Sequence, residues 1–173
     1  SVDLKTPDGR GAFLDLVRVS DVVIDNFSVR TMPSLGLDYE VLRETNQEII
    51  YVMMPGYGKT GPYSELPAYG PVIEPMSGLG AVMGYSASEP RNSATALPDA
   101  VGGVTAAAAV VTALNRRSET GVGSLVDVSL HEGSVSIFGD FLVEKQLGGD
   151  PKPIGNCHPA HFFSSLLRAK GDD

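Results

Sequence analysis

Two short runs of apolar residues restrict most strongly the folds open to this chain. Residues 21–25 hold an apolar core between two aspartates, and residues 49–54 are apolar throughout. Runs this short and continuous are typical of strands covered on both faces, as in parallel sheets. Pro55 and Gly56 then end the second run in a long loop rich in glycine and proline. We therefore expect parallel strands joined by helical crossovers.

Helix-like segments alternate with these strands. Thr6 followed by Pro7 is a helix start, and the apolar positions that follow share one helical face. A half-buried, alternating strand is expected over residues 125–130. This order predicts an α/β fold: a Rossmann-like, open and mainly parallel sheet flanked by helices. The other predicted helices cover residues 39–45, 72–82, 98–117 and 131–147, and the 98–117 helix is so rich in glycine and alanine that a close neighbour is expected.

Composition limits what the chain can do. Its 173 residues are 42% hydrophobic and 20% charged, which is enough to bury the core of about one domain. The formal net charge of −8 disfavours nucleic acid or an anionic membrane surface as a partner. No membrane span is expected, since that needs about 20 unbroken apolar residues. The single Cys157 has no disulfide partner within the chain, so a cytoplasmic protein is expected.

Few polar residues form a known chemical motif. Cys157, His158 and His161 lie close together, but no further ligands follow at metal-site spacing, so an ordinary loop and no metal are expected. His131 begins a predicted helix directly after a strand. A polar residue in the capping region of a helix is the ordinary explanation for a histidine at this position. The glycines within residues 56–58 lack the spacing of a dinucleotide or phosphate loop and are typical of a turn.

Asp99 is the most suggestive single residue. It lies in the first turn of the long predicted helix, where the helix dipole and free backbone N–H groups stabilise an ionised carboxylate. An ionised carboxylate can act as a nucleophile, although acidic residues in a first turn are also common caps. Asn26 and Phe27 end a predicted parallel strand, the edge at which open α/β sheets bind ligands. The residues alone leave open whether Asp99 is catalytic.

Several stretches, taken in order, resemble the family III CoA-transferases, the group that includes formyl-CoA:oxalate and carnitine CoA-transferases and the related α-methylacyl-CoA racemases. The stretches cover nearly the whole chain, and the ordered set is far more specific than any one of them. They are residues 2–10, 21–27, 35–39, 56–63, 76–79, 98–99, 117–123 and 126–130. The resemblance implies a central piece of a longer protein, with residues 1–150 in the large domain and 151–173 a linker and the start of a following domain.

The resemblance also implies a function. It implies an acyl-CoA:carboxylate CoA-transferase whose nucleophile is Asp99, acting through an aspartyl-CoA thioester. It implies no permanently bound cofactor, because the CoA thioester is a substrate together with a carboxylic acid, and it implies an intertwined homodimer. The CoA-binding residues carried over from the family are Asn26, Phe27, Leu35, Gly56, Tyr57, Gly58 and Tyr69.

Two positions depart from the family pattern. Ser34 stands where an arginine is usual, and Gly70 stands where an acidic residue is common. Arg30 and Lys59 are candidates for the missing phosphate contact, but solvated surface charge explains them equally. Two alternatives stay open: a racemase-like isomerase, which the lack of a histidine in residues 68–70 disfavours, and a folded inactive fragment or binding module.

Overall fold

The computed structural model describes residues 1–156, 167, 168 and 170. Within them, a parallel sheet has the strand order β1-β2-β3, formed by β1 (Val22–Asp25), β2 (Ile50–Met53) and β3 (Ser124–Asp127). Val22 pairs with Ile50, and Ile50 pairs with Ser124 on its other side. The predicted open parallel sheet is therefore confirmed, and its central strand is the continuously apolar run.

Helices connect and cover these strands. In chain order they are α1 (Pro7–Arg18), α2 (Thr31–Ser34), α3 (Tyr39–Thr45), α4 (Gly70–Met76), α5 (Leu79–Val82), α6 (Leu97–Thr120), α7 (Leu130–Ser136) and α8 (Gly139–Gln146). The first helix begins at its predicted cap, because the Thr6 hydroxyl accepts a hydrogen bond from the Gly9 N–H at 3.1 Å. The four-residue α2 was not predicted.

The sheet is the middle of three layers. Tyr51 and Met53 of β2 belong to an apolar cluster that includes residues of α1 and α3. Ile50 and Val52, which alternate with them, pack instead with residues of α6. All four β2 residues are buried. Strand β2 therefore contributes buried side chains to both clusters. Each buried aliphatic side chain contributes about 1.5–3 kcal/mol of transfer free energy to the fold.

Two predicted helices are each divided. The helix expected over residues 72–82 is α4 followed by α5, because Gly78 between them has a left-handed φ of +92°. The helix expected over residues 131–147 is α7 followed by α8. Phe138 separates this second pair, and its buried ring lies against Gly78. The contact between Phe138 and Gly78 therefore lies where both predicted helices are interrupted.

The third strand also differs from its prediction. The strand expected over residues 125–130 ends at Asp127, because Ser129 already caps α7 and Leu130 begins that helix. Leu125 packs against the cluster on the α1 and α3 side, so β3 is covered on both faces and not on one alone.

Helix α6 packs across β2 and β3 and against α7. A Cβ placed on its buried Gly102 would lie 2.1 Å from Leu130 Cδ2. The close neighbour predicted from the small residues is therefore α7. The helix ends at Gly121, whose φ of +67° suits a glycine cap.

By length and composition alone, α6 is the one helix among the described residues that could cross a membrane. Core helices that pack against a sheet meet the same criterion, so one such helix is weak evidence for a span. In α6, 22% of the apolar window is buried within the fold. We expect no span because a span needs about 20 unbroken apolar residues. In this helix, Asp99, glycines and threonines interrupt the apolar sequence.

Candidate functional site

A cleft of about 300 Å³ opens where β1 and β2 end. One wall is the turn after β1, and the other is the loop rich in glycine and proline that follows β2. Open parallel sheets bind ligands at this edge. Four predicted CoA-binding residues share this strand-end cleft, whose lining includes Asn26, Phe27, Pro55, Gly56, Leu66 and Tyr69.

Two larger concavities, each of about 390 Å³, lie elsewhere on the described surface. One is a polar groove lined by Glu40, Arg43 and Glu44 of α3. The other is an apolar hollow around Phe138 and Phe141, between α5 and α8. Neither contains a predicted site residue, and neither lies at the carboxyl ends of the strands. The strand-end cleft is therefore the better candidate despite its smaller volume.

A buried phenol holds the turn that carries Asn26 and Phe27. Tyr51 is 1% exposed, and its hydroxyl donates a hydrogen bond to Asp25 Oδ2 at the end of β1. Asp25 Oδ1 accepts a hydrogen bond from the Phe27 N–H at 2.9 Å. Burial, and then the bond to Asp25, raises the pKa of the Tyr51 hydroxyl far above its usual range, so it remains a donor. The backbone at Phe27 is thus held at the cleft.

Two polar contacts fix the opposite wall. Arg30 Nε donates to Glu65 Oε1 at 2.9 Å, which joins the start of α2 to the loop. This hydrogen bond, with the charge of Glu65, raises the pKa of Arg30 above its usual value. The Lys59 backbone N–H donates to Asp127 Oδ2 at 2.8 Å, at the end of β3. Because Arg30 and Glu65 are mostly exposed, solvent screens their pair and it adds little to stability.

Three predicted CoA-binding residues are not part of the lining of the cleft. The buried Tyr57 ring packs against His131 and Tyr63, with centroid distances of 5.6 and 5.8 Å. Gly58, with a φ of +81°, turns the loop beside the start of α7. Leu35 packs against the core under α1 and α3. The structure therefore does not bring these three residues into the lining of the cleft.

Of the histidine and cysteine candidates, the structure describes His131. His131 Nε2 lies 3.1 Å from the Met76 carbonyl oxygen, a contact that ties α7 to α4. Among the residues that the structure describes, no group of three or more histidine, cysteine or acidic side chains could hold a metal ion. Cys157, His158 and His161 lie outside the described residues.

The Asp99 carboxylate lies next to the strand-end cleft. Asp99 is exposed in the first turn of α6, at the positive end of the helix dipole. A Cβ placed on Gly70 would lie 2.0 Å from Asp99 Oδ2, so the carboxylate rests directly on the Gly70 backbone. Gly70 follows Tyr69, which lines the cleft and is 72% exposed. The predicted nucleophile and a predicted CoA-binding residue are thus neighbours.

Three residues that shape this site were missed as contributors to it. Tyr51 offered one signal, since a phenol within an aliphatic strand needs a hydrogen-bond partner. Asp25 ends the neighbouring strand and is that partner. Gly70 stood out only as a departure from the family pattern, and its contact with Asp99 joins residues far apart in the chain. No sequence signal pairs those two residues.

Comparison with known proteins gives a consistent result. The sequence profile described as CoA-transferase family III matches residues 1–173. An acetyl-CoA:oxalate CoA-transferase from Acetobacter aceti is 36% identical over 160 residues, covering 91% of this chain and 41% of the relative. A succinate–glutarate CoA-transferase from Agrobacterium fabrum is 34% identical over 158 residues, covering 91% and 40%. The chain thus spans well under half the length of these relatives.

Solved structures agree on the architecture. A CAIB/BAIF family protein from Brucella suis matches with a TM-score of 0.85 at 34% identity, over 91% of this chain and 42% of that one. A hypothetical protein from Mycobacterium tuberculosis matches with a TM-score of 0.78 at 30% identity, over 83% and 41%. The parallel sheet and its helices are therefore shared with part of each protein.

Proposed function

Because this chain belongs to CoA-transferase family III, we propose that its complete protein transfers coenzyme A from an acyl-CoA thioester to a carboxylic acid, with Asp99 as nucleophile. The observation that carries the proposal is the exposed Asp99 carboxylate beside Tyr69, at the edge of the strand-end cleft. The names of both relatives describe CoA-transferases that act on small dicarboxylates. These names support an acyl-CoA thioester and a carboxylic acid as the substrate classes of the complete protein.

The chemistry uses the Asp99 carboxylate twice. A carboxylate oxygen attacks the donor thioester carbonyl, which forms a mixed anhydride and releases CoA thiolate. The thiolate attacks the aspartyl carbonyl, which releases the donor acid and leaves an aspartyl-CoA thioester. The acceptor carboxylate attacks that thioester, and the released thiolate then attacks the acceptor carbonyl of the new anhydride. Acyl-CoA product leaves and the Asp99 carboxylate is regenerated, with no net proton transfer.

The strand-end cleft is proposed to hold the adenine end of CoA. Phe27 and Tyr69 offer exposed rings, and Leu66 offers exposed apolar surface, which suits a flat heteroaromatic group. A volume of about 300 Å³ is at the lower end for ligand sites, so it fits part of CoA and not all of it. Arg30 is a cation near this cleft, and its Nε donates to Glu65 in the loop.

The oxygen atoms of the acceptor test this route. In the proposed sequence an acceptor oxygen becomes part of the Asp99 carboxylate each time the second anhydride is cleaved. With an acceptor labelled with oxygen-18, mass spectrometry of the complete protein should find label in the peptide that contains Asp99. The peptide that contains Asp127 serves as the internal control and should stay unlabelled. Many turnovers without label at Asp99 would exclude it as the covalent nucleophile.

We also propose a homodimer for the complete protein. Val104 and Val111 lie on the outer face of α6 and are 74% and 67% exposed, although both are aliphatic. Contiguous exposed aliphatic surface on a helix is typical of an interaction face. Light scattering after size-exclusion chromatography should give twice the chain mass, and Val104→Glu with Val111→Glu should shift it to the monomer. A monomeric mass for the unchanged protein at all concentrations would contradict this proposal.

A further inference from the structure

Because Gly70 has no side chain, it leaves space for a neighbouring group. It is buried at the start of α4, and its φ is outside the left-handed region, so the backbone there would accept alanine. A Cβ on Gly70 would lie 2.0 Å from Asp99 Oδ2, 3.2 Å from Asp99 Cγ and 3.3 Å from Ala96 Cβ. The closest atom by far is the carboxylate oxygen. In this chain the Asp99 carboxylate therefore occupies the volume that the acidic side chain common in the family at this position would fill.

One helical turn further along α4, a buried carboxylate holds the segment that leads into α6. Glu74 is 1% exposed. Its Oε1 accepts a hydrogen bond from the Ser93 N–H, and its Oε2 accepts one from the Ser93 hydroxyl at 2.6 Å. A buried carboxylate is costly unless it is hydrogen-bonded, so these bonds tie Ser93 to α4. Ser93 lies just ahead of Ala96, the N-cap of α6.

From these two contacts we infer that α4 orients the proposed nucleophile. Gly70 leaves the space in which the Asp99 carboxylate rests, and Glu74, through Ser93, holds the first turn of α6 in place above it. Gly70 and Glu74 are positioning residues in this scheme, because they act through Asp99 and Ser93. The inference rests on the proposed function for its kinetic consequence, whereas the orientation of Asp99 can be measured without any activity.

The first test is Gly70→Ala, with Gly11→Ala as matched control. A Cβ on Gly11, on the surface of α1, meets no atom within 4 Å. Three-bond couplings between Hα and Hβ should show one fixed Asp99 rotamer in the unchanged chain and in the control, and a different or averaged one in Gly70→Ala. In the complete protein, kcat should fall about 10- to 100-fold for Gly70→Ala with KM changed less than about threefold.

The second test separates orientation from stability. Glu74→Gln retains an oxygen that can accept from the Ser93 N–H, whereas Glu74→Ala retains none. The glutamine variant should therefore keep the Asp99 couplings and most of kcat, and the alanine variant should lose both at temperatures where it stays folded. Wild-type couplings and kcat in Glu74→Ala would show that Ser93 needs no anchor, and would contradict this half of the inference.

The outcomes also distinguish this inference from the proposed function. If Asp99→Asn remains active, the proposed function is wrong, and the couplings alone then test the orienting role of α4. If Asp99→Asn is inactive but Gly70→Ala keeps both its couplings and its kcat, the inference is wrong and the function stands. Averaged Asp99 couplings in the unchanged chain would also overturn the inference, because they would show that the carboxylate has no fixed orientation.

Discussion

Replacing Asp99 with asparagine is expected to lower CoA transfer by at least about a thousandfold, because a carboxamide cannot form the anhydride on which the transfer depends. The fold should persist, since the Asp99 side chain is exposed in a helix that its other residues hold against the sheet. Transfer from an acyl-CoA donor to a carboxylate acceptor measures the effect in the complete protein. Asp99→Ala should be run in parallel, because asparagine can deamidate to aspartate.

The matched control for this change is Asp8→Asn. Asp8 is also an exposed acidic residue in the first turn of a helix, α1, on a part of the chain that does not line the strand-end cleft. Each change removes one charge that favours a helix start, which is worth about 0.3–1 kcal/mol. Only Asp99→Asn should abolish transfer. Equal activities for the two variants would mean that Asp99 is merely a helix-start charge.

Replacing Gly123 with alanine is expected to lower the free energy of unfolding by about 2–4 kcal/mol. A Cβ at this position would lie 2.0 Å from the Ile49 carbonyl oxygen and 2.7 Å from the Glu48 carbonyl carbon. Both are backbone atoms, so no side-chain rotation relieves the overlap. The Ser124 N–H donates to the Ile49 carbonyl at 3.1 Å, so the displaced atoms are those that align β3 with β2.

Urea unfolding, with Gly103→Ala as the control, measures this effect. Gly103 lies inside α6, and a Cβ there meets no atom within 4 Å. Alanine should stabilise that helix by about 0.5–1 kcal/mol, because it restricts the unfolded chain more than glycine does. The two glycine-to-alanine changes should therefore have opposite signs. A Gly123→Ala variant as stable as the unchanged chain would show that β3 can shift away from β2 at little cost.

Local interactions determine the parts of the fold that were predictable. Helix α1 starts at Thr6 because that side chain caps it, and Pro7 already has the helical φ. Strand β2 follows from an apolar run that only a two-sided cover can bury, whereas β1, predicted from the same kind of run, leaves Ile24 56% exposed. Each of these signals lies within a few neighbouring residues. The parallel sheet, its helices and their order could therefore be predicted from the sequence.

Interior packing determines where several elements end. The helix expected over residues 131–147 is interrupted at Phe138, whose ring is buried against Gly78, although its apolar pattern is continuous. Leu125 faces a second apolar cluster, which a strand read by itself does not reveal. Apolar periodicity reports which residues prefer burial, but which neighbour buries them depends on the packing of distant segments.

The same division holds for the site. The sequence by itself determined that Asp99 starts a helix, that Asn26 and Phe27 end a parallel strand, and that the chain resembles CoA-transferases. Only the tertiary structure decided that Asp99 rests on Gly70 and that the buried Tyr51 holds Asp25 beneath Phe27. Those contacts join residues far apart in the chain, and they form because the crossovers of a parallel sheet bring the ends of successive strands and helices to one edge.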